Sequence, residues 1–155
     1  MILLSKYTLS EAATISSISA YHSSSATSWF KLLIYDDDGA GGLPGTLLGY
    51  SLHNAQAALG SPTWVTLDLV TPAELSAGDY WLGWQHSNGN TNLNEHYNAS
   101  GTSYYTTDVT YVDGDPPVAT CPSGGTSGTR AWAVYATYPD APGFTGLTVT
   151  KILNS

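Results

Sequence analysis

Residues 78–86 read Gly78-Asp79-Tyr80-Trp81-Leu82-Gly83-Trp84-Gln85-His86, and this stretch decides the fold class. Successive side chains of an extended strand point to opposite faces. Tyr80, Leu82 and Trp84 therefore form one inward set, and Trp81, Gly83 and Gln85 lie opposite. The same period recurs upstream. Phe30, Leu32 and Ile34 alternate with Trp29, Lys31, Leu33 and Tyr35, and Val65, Leu67 and Leu69 alternate with Trp64, Thr66 and Asp68. Near the end, Trp132, Val134 and Ala136 alternate with Ala133, Tyr135 and Thr137.

No window shows an apolar stripe at helical spacing, so the chain reads as all-β. Strands are predicted over 3–9, 14–21, 28–35, 46–52, 63–69, 78–86, a ragged pair near 93–97 and 103–107, then 130–138 and 147–153. Turn residues separate them, among them Asp38-Gly39, Pro44-Gly45 and Gly60-Ser61-Pro62. Thr71-Pro72 before Ala73 to Gly78 offers one short helical turn. The expected architecture is a jelly-roll-like antiparallel β-sandwich of about 8–10 strands. One domain is expected over 1–138, followed by a C-terminal arm, 139–155, in which Phe144, Leu147, Val149, Ile152 and Leu153 are too apolar for a linker. Such an arm is expected to pack on the domain or on a neighbouring subunit.

The 155 residues suit one domain. Only 10% are charged, and about a quarter are Ser or Thr, which points to a secreted, cell-surface or virion surface. The formal net charge is −8 with four cations, Lys6, Lys31, Arg130 and Lys151, too scattered to track phosphates, so nucleic acid is not an expected partner. No apolar run approaches the roughly 20 residues of a spanning helix, and membrane insertion is not expected. Met1-Ile2-Leu3-Leu4-Ser5-Lys6 is too short for an export signal core. Cys121 is the single cysteine and is read as a bystander.

Three segments carry a resemblance: Lys31-Leu32-Leu33-Ile34-Tyr35-Asp36-Asp37-Asp38 with Leu43-Pro44-Gly45-Thr46-Leu47-Leu48; Trp64-Val65-Thr66-Leu67; and Leu75-Ser76-Ala77-Gly78-Asp79-Tyr80-Trp81-Leu82. Together with the closing stretch from Trp132 to Tyr138, they resemble jelly-roll β-sandwich modules of bacterial secreted and surface proteins and of bacteriophage structural and decoration proteins. The resemblance spans roughly residues 3–138 and implies a non-catalytic role in surface attachment or particle coating, with no particular ligand.

Catalytic motifs are absent: there is no G-x-S-x-G or H-E-x-x-H, and the glutamates are Glu11, Glu74 and Glu95 only. No enzyme is expected. Asp36, Asp37 and Asp38, with Asp113 and Asp115, supply hard oxygens of the type calcium prefers, but without EF-hand spacing; turn formation, in which Asp side chains bond local backbone amides, is the favoured account of them. Glu95 and His96 are neighbours on a strand and point apart, which disfavours zinc.

For contact surfaces, Trp64 and Trp81, with Tyr35 and Gln85, fall on the outward faces of strands that would form an aromatic platform for a sugar ring if they were neighbours. Covering by a second layer is the competing reading, since Trp is buried on average. The region 88–129 is rich in Gly, Ser, Thr and Asn and holds Tyr97, Tyr104, Tyr105 and Tyr111, the chemistry of a contact surface. The leading functional expectation is a virion structural protein, a capsid decoration or a fibre or appendage subunit, partnered by capsid or appendage protein and assembled as a homo-oligomer such as a trimer. The alternative is a carbohydrate-binding or adhesion module that engages a cell-surface glycan.

Overall fold

The computed structural model describes residues 1–86, 93–114 and 116–138. Among these, thirteen strands follow one another: β1 (Ile2–Leu9), β2 (Ala13–Ser24), β3 (Ser28–Asp36), β4 (Leu47–Tyr50), β5 (Asn54–Gln56), β6 (Leu59–Leu75), β7 (Gly78–His86), β8 (Leu93–Glu95), β9 (Tyr97–Asn98), β10 (Ser103–Thr106), β11 (Thr126–Gly128), β12 (Ala131–Trp132) and β13 (Val134–Thr137). They form an all-β antiparallel sandwich. A seven-stranded sheet runs β11-β10-β1-β7-β3-β4 with β5 also on β3. A four-stranded sheet, β13-β2-β6 with β8 on β2, faces it, and β9 and β12 pair separately.

The alternation read from sequence selects the faces correctly. Phe30, Leu32, Ile34, Leu82 and Trp84 of the large sheet pack against Ile18, Ala20, Val134 and Ala136 of the small one. Gly83 leaves no room for a side chain against β1: a Cβ there would stand 1.9 Å from the Leu3 carbonyl oxygen. His22, fully buried, meets Phe30 edge-on with ring centroids 4.9 Å apart.

Two local readings are corrected. The helical turn at 71–78 does not form, because Ala73, Glu74 and Leu75 continue β6 and pair with Ile15, Thr14 and Ala13. Pro72 falls where the β2–β6 register shifts, a place that tolerates a residue without an N–H. The strand predicted over 130–138 divides at Ala133, whose N–H donates to the His96 carbonyl and whose carbonyl accepts from Tyr21 N–H, each at 2.8 Å. The arm residues Phe144, Leu147, Val149, Ile152 and Leu153 lie outside the described residues, as does the strand predicted over 147–153.

The large sheet is covered on both faces. Away from the small sheet, Leu33, Tyr35 and Trp81 pack with Tyr104, Val109 and Cys121 in a second core, flanked by Leu43, Leu47 and Val118. The cover is an irregular strap that leaves β10 and returns to β11. Its carbonyls take donors from the sheet: Lys31 Nζ donates to Val112 at 2.8 Å, Tyr35 Oη to Val118 at 2.8 Å and Gln85 Nε2 to Thr110 at 3.3 Å. Backbone bonds from Leu47 N–H to Ala119 and from Cys121 N–H to Gly45 fasten its far end. Removing a buried charged donor leaves the acceptor unsatisfied, at a cost of about 1–3 kcal/mol. Lys31→Ala should therefore loosen the strap and raise the alkylation rate of the otherwise protected Cys121 roughly tenfold at fixed pH. A rate equal to that of the parent chain would show that Lys31 does not hold the strap.

Burial also sets the alkaline limit. It pushes the Cys121 thiol from its ordinary 9.0 up to about 12, and the Tyr7 phenol from 10.0 up to about 12. The unfolded chain releases these protons first, so their contribution is intact below about pH 9 and is lost progressively between 9 and 12. Stability should fall above about pH 9, with a slope of about 1.4 kcal/mol per pH unit for each group that titrates, as read by urea titration from about pH 8.5 to 11. A flat profile to pH 11 would contradict this assignment.

Candidate functional site

The platform predicted from Trp64, Trp81, Tyr35 and Gln85 does not assemble. Tyr35 and Trp81 are indeed cross-strand neighbours on β3 and β7. Both are buried under the strap, with Trp81 only 1% exposed and Tyr35 fully buried. Gln85 is buried further along β7, opposite Lys31 of β3. Trp64 belongs to the other sheet, where it is 48% exposed on the outer face against Tyr21 and Tyr135, with ring centroids 5.2 and 4.8 Å away.

The tyrosines of the 88–129 region divide likewise. Tyr104 is buried edge-on to Trp81, and its hydroxyl meets the Pro122 carbonyl. Tyr111 lies under the Lys31 ammonium, 4.9 Å from the ring centre, and bonds His53 through its hydroxyl. Tyr97 and Tyr105 remain open, 47% and 45% exposed.

The acidic residues do not converge on a cation. Asp36 accepts from the Asp37 N–H, Asp37 takes Lys6 Nζ and Trp81 Nε1, each at 2.7 Å, and Asp38 closes the turn by accepting from Thr46 N–H and Oγ1 at 2.7 and 2.6 Å. Those two bonds from Thr46 hold the Asp38 carboxyl below its usual range. Asp113 lies 3.2 Å from His53, and Asp115 is outside the described residues. Among the described residues no group of three or more His, Cys, Asp or Glu side chains could hold a metal.

What the fold does build is a groove of about 530 Å³ at one edge of the sandwich. Ser103, Tyr104 and Tyr105 of β10, with Ser127 and Gly128 of β11, line one side. Glu95 of β8, Thr129, Arg130 and Trp132 of β12 line the other, and Met1 and Leu3 reach it from the β1 end. Leu3 and Trp132 are core residues, so the floor is apolar while the walls carry hydroxyls and two charges.

Two buried serines fix the wall. Ser5 Oγ donates to the Arg130 carbonyl at 3.0 Å and accepts from Trp132 N–H at 2.9 Å, while Ser103 Oγ accepts from Arg130 N–H at 3.2 Å. The Arg130 guanidinium then lies over Tyr97 and Trp132, 4.5 and 5.5 Å from the ring centres. Glu95 Oε1 stands 3.0 Å from Nε2 of the buried His86.

Sequence reasoning named Tyr104 and Tyr105 of the groove lining, and Tyr97 beneath Arg130, but missed Arg130, Glu95 and Trp132 as one site. The residues that assemble it are far apart in the chain, and the available signal was weak: Arg130 is one of few cations and precedes the aromatic closing strand. In comparisons with known proteins, the chain matches no family model, no curated protein and no solved structure. The outward pair of the original platform gives a clear expectation: Trp81→Ala should destabilise the fold by about 3–5 kcal/mol in denaturant titration. Trp64→Ala should change stability by less than about 1 kcal/mol.

Proposed function

We propose that this chain is a non-enzymatic surface-attachment module that binds a glycan in the edge groove. The observation that carries this reading is the groove's composition: an apolar floor at Leu3 and Trp132, hydroxyl-bearing walls, and the half-exposed ring of Tyr105 beside them. A sugar needs an aromatic or apolar surface for its C–H face and fixed polar groups for its hydroxyls. Glu95 and Arg130 supply charged acceptors and donors, and the serine clamp holds the Arg130–Trp132 backbone before a ligand arrives. Screening the full chain on a glycan array and titrating the hits by tryptophan fluorescence tests the reading. Tyr105→Ala should weaken binding roughly tenfold with the thermal midpoint unchanged, and Trp64→Ala should leave it intact. An array without hits would overturn the glycan assignment.

A second reading, a coat or appendage subunit of a virion, draws support from β6. This 17-residue strand ends the small sheet, and among the described residues its free edge is bridged at Ser51↔Leu69 alone. An unpaired strand edge is a template for pairing with another chain. Trp64 and Val70 along it are also exposed. Light scattering over a hundredfold concentration range should give a defined closed oligomer, a trimer among the options, if β6 serves this purpose. A monomer throughout would remove that support.

A further inference from the structure

Of the described cations, Lys6 is paired with Asp37, and Lys31 is buried beneath the strap. Arg130 differs from both. It is exposed in the groove, stacked on Tyr97 and Trp132, and among the described residues it forms no ion pair. Stacking holds the plane of a guanidinium while leaving its edge N–H groups directed outward, and such a fork matches a carboxylate through two parallel hydrogen bonds. The backbone on either side of it is already fixed by Ser5 and Ser103, so little ordering remains for binding.

We propose that Arg130 anchors a single carboxylate, so that the groove takes a glycan ending in a monocarboxylated sugar; this rests on the glycan reading above. The limit to one negative charge has two grounds. Glu95 lines the same groove, where it repels a second anion and accepts from sugar hydroxyl or acylamino donors. The formal charge of −8 opposes the approach of a polyanion. A densely sulfated chain is therefore a poorer partner than one uncrowded acidic sugar.

The test uses the full chain and two probes that differ only in the carboxylate, methyl β-glucuronide and methyl β-glucoside, titrated by ligand-observed NMR, with acetate as a free-anion control. The parent chain should bind the glucuronide at least about tenfold more tightly than the glucoside, and more tightly than acetate. Arg130→Gln should weaken the glucuronide far more than the glucoside and so abolish that preference, and Arg130→Lys, which keeps the charge without the fork, should restore only part of it. Raising the salt should narrow the preference, since the contact is exposed. Equal binding of both sugars, both weakened by Tyr105→Ala, would overturn the carboxylate assignment and leave the glycan reading standing. Acetate binding as tightly as the glucuronide would reduce the site to an anion contact and overturn it too. Failure of both sugars to bind would overturn the glycan reading together with the carboxylate assignment.

Discussion

A strap without a ladder of its own must find donors for its carbonyls, and the large sheet provides them. An unpaired buried carbonyl is costly, so the irregular segment between β10 and β11 can lie over Leu33, Tyr35 and Trp81 only because Lys31, Gln85 and the Tyr35 hydroxyl rise from the same face to meet it. The groove depends on this indirectly. Its β10–β11 wall is the pair of strands between which the strap leaves and returns, so what secures the strap also secures that wall. Asp37 extends the same logic at the sheet's other end, where it ties Lys6 to the Trp81 indole.

The opposite wall is held differently. β12 is only two residues long and pairs with β9, which is equally short. Ladder bonds alone would leave such a pair weak. Ser5, fully buried on β1, bonds the residues on either side of Ala131, and the Tyr7 hydroxyl meets the Trp132 carbonyl two residues further along the same strand. Polar side chains on a core strand thus do for β12 what a longer strand would do by pairing.

Much of the fold was legible in the sequence, because a period of two is a direct consequence of strand geometry. Phe30, Leu32, Ile34, Leu82 and Trp84 were placed on the correct face by alternation alone, as were Val134 and Ala136. The same alternation put Trp81, Tyr35 and Gln85 on the other face, also correctly, but a face is not an exposure. Their cover engages through backbone carbonyls, which leave no trace in residue type, and so the expected sugar platform was already occupied by the protein itself. The site was less legible still. Arg130 and Ser5 are 125 residues apart, and nothing in either local pattern announces that they meet.

Holding part of the cover by its carbonyls also divides the chain into parts with unequal freedom to change over generations. Every residue but proline offers the same carbonyl and N–H, and proline keeps the carbonyl. At the exposed Thr110 and Val112 the strap can therefore exchange many side chains without losing the bonds that hold it down. Lys31, Gln85 and Tyr35 have no such latitude, since each contributes a donor at a particular reach from the sheet. Descent would thus be recorded in the sheet and blurred in the strap, so the part of the surface most free to vary in residue type is also a part whose backbone path is fixed.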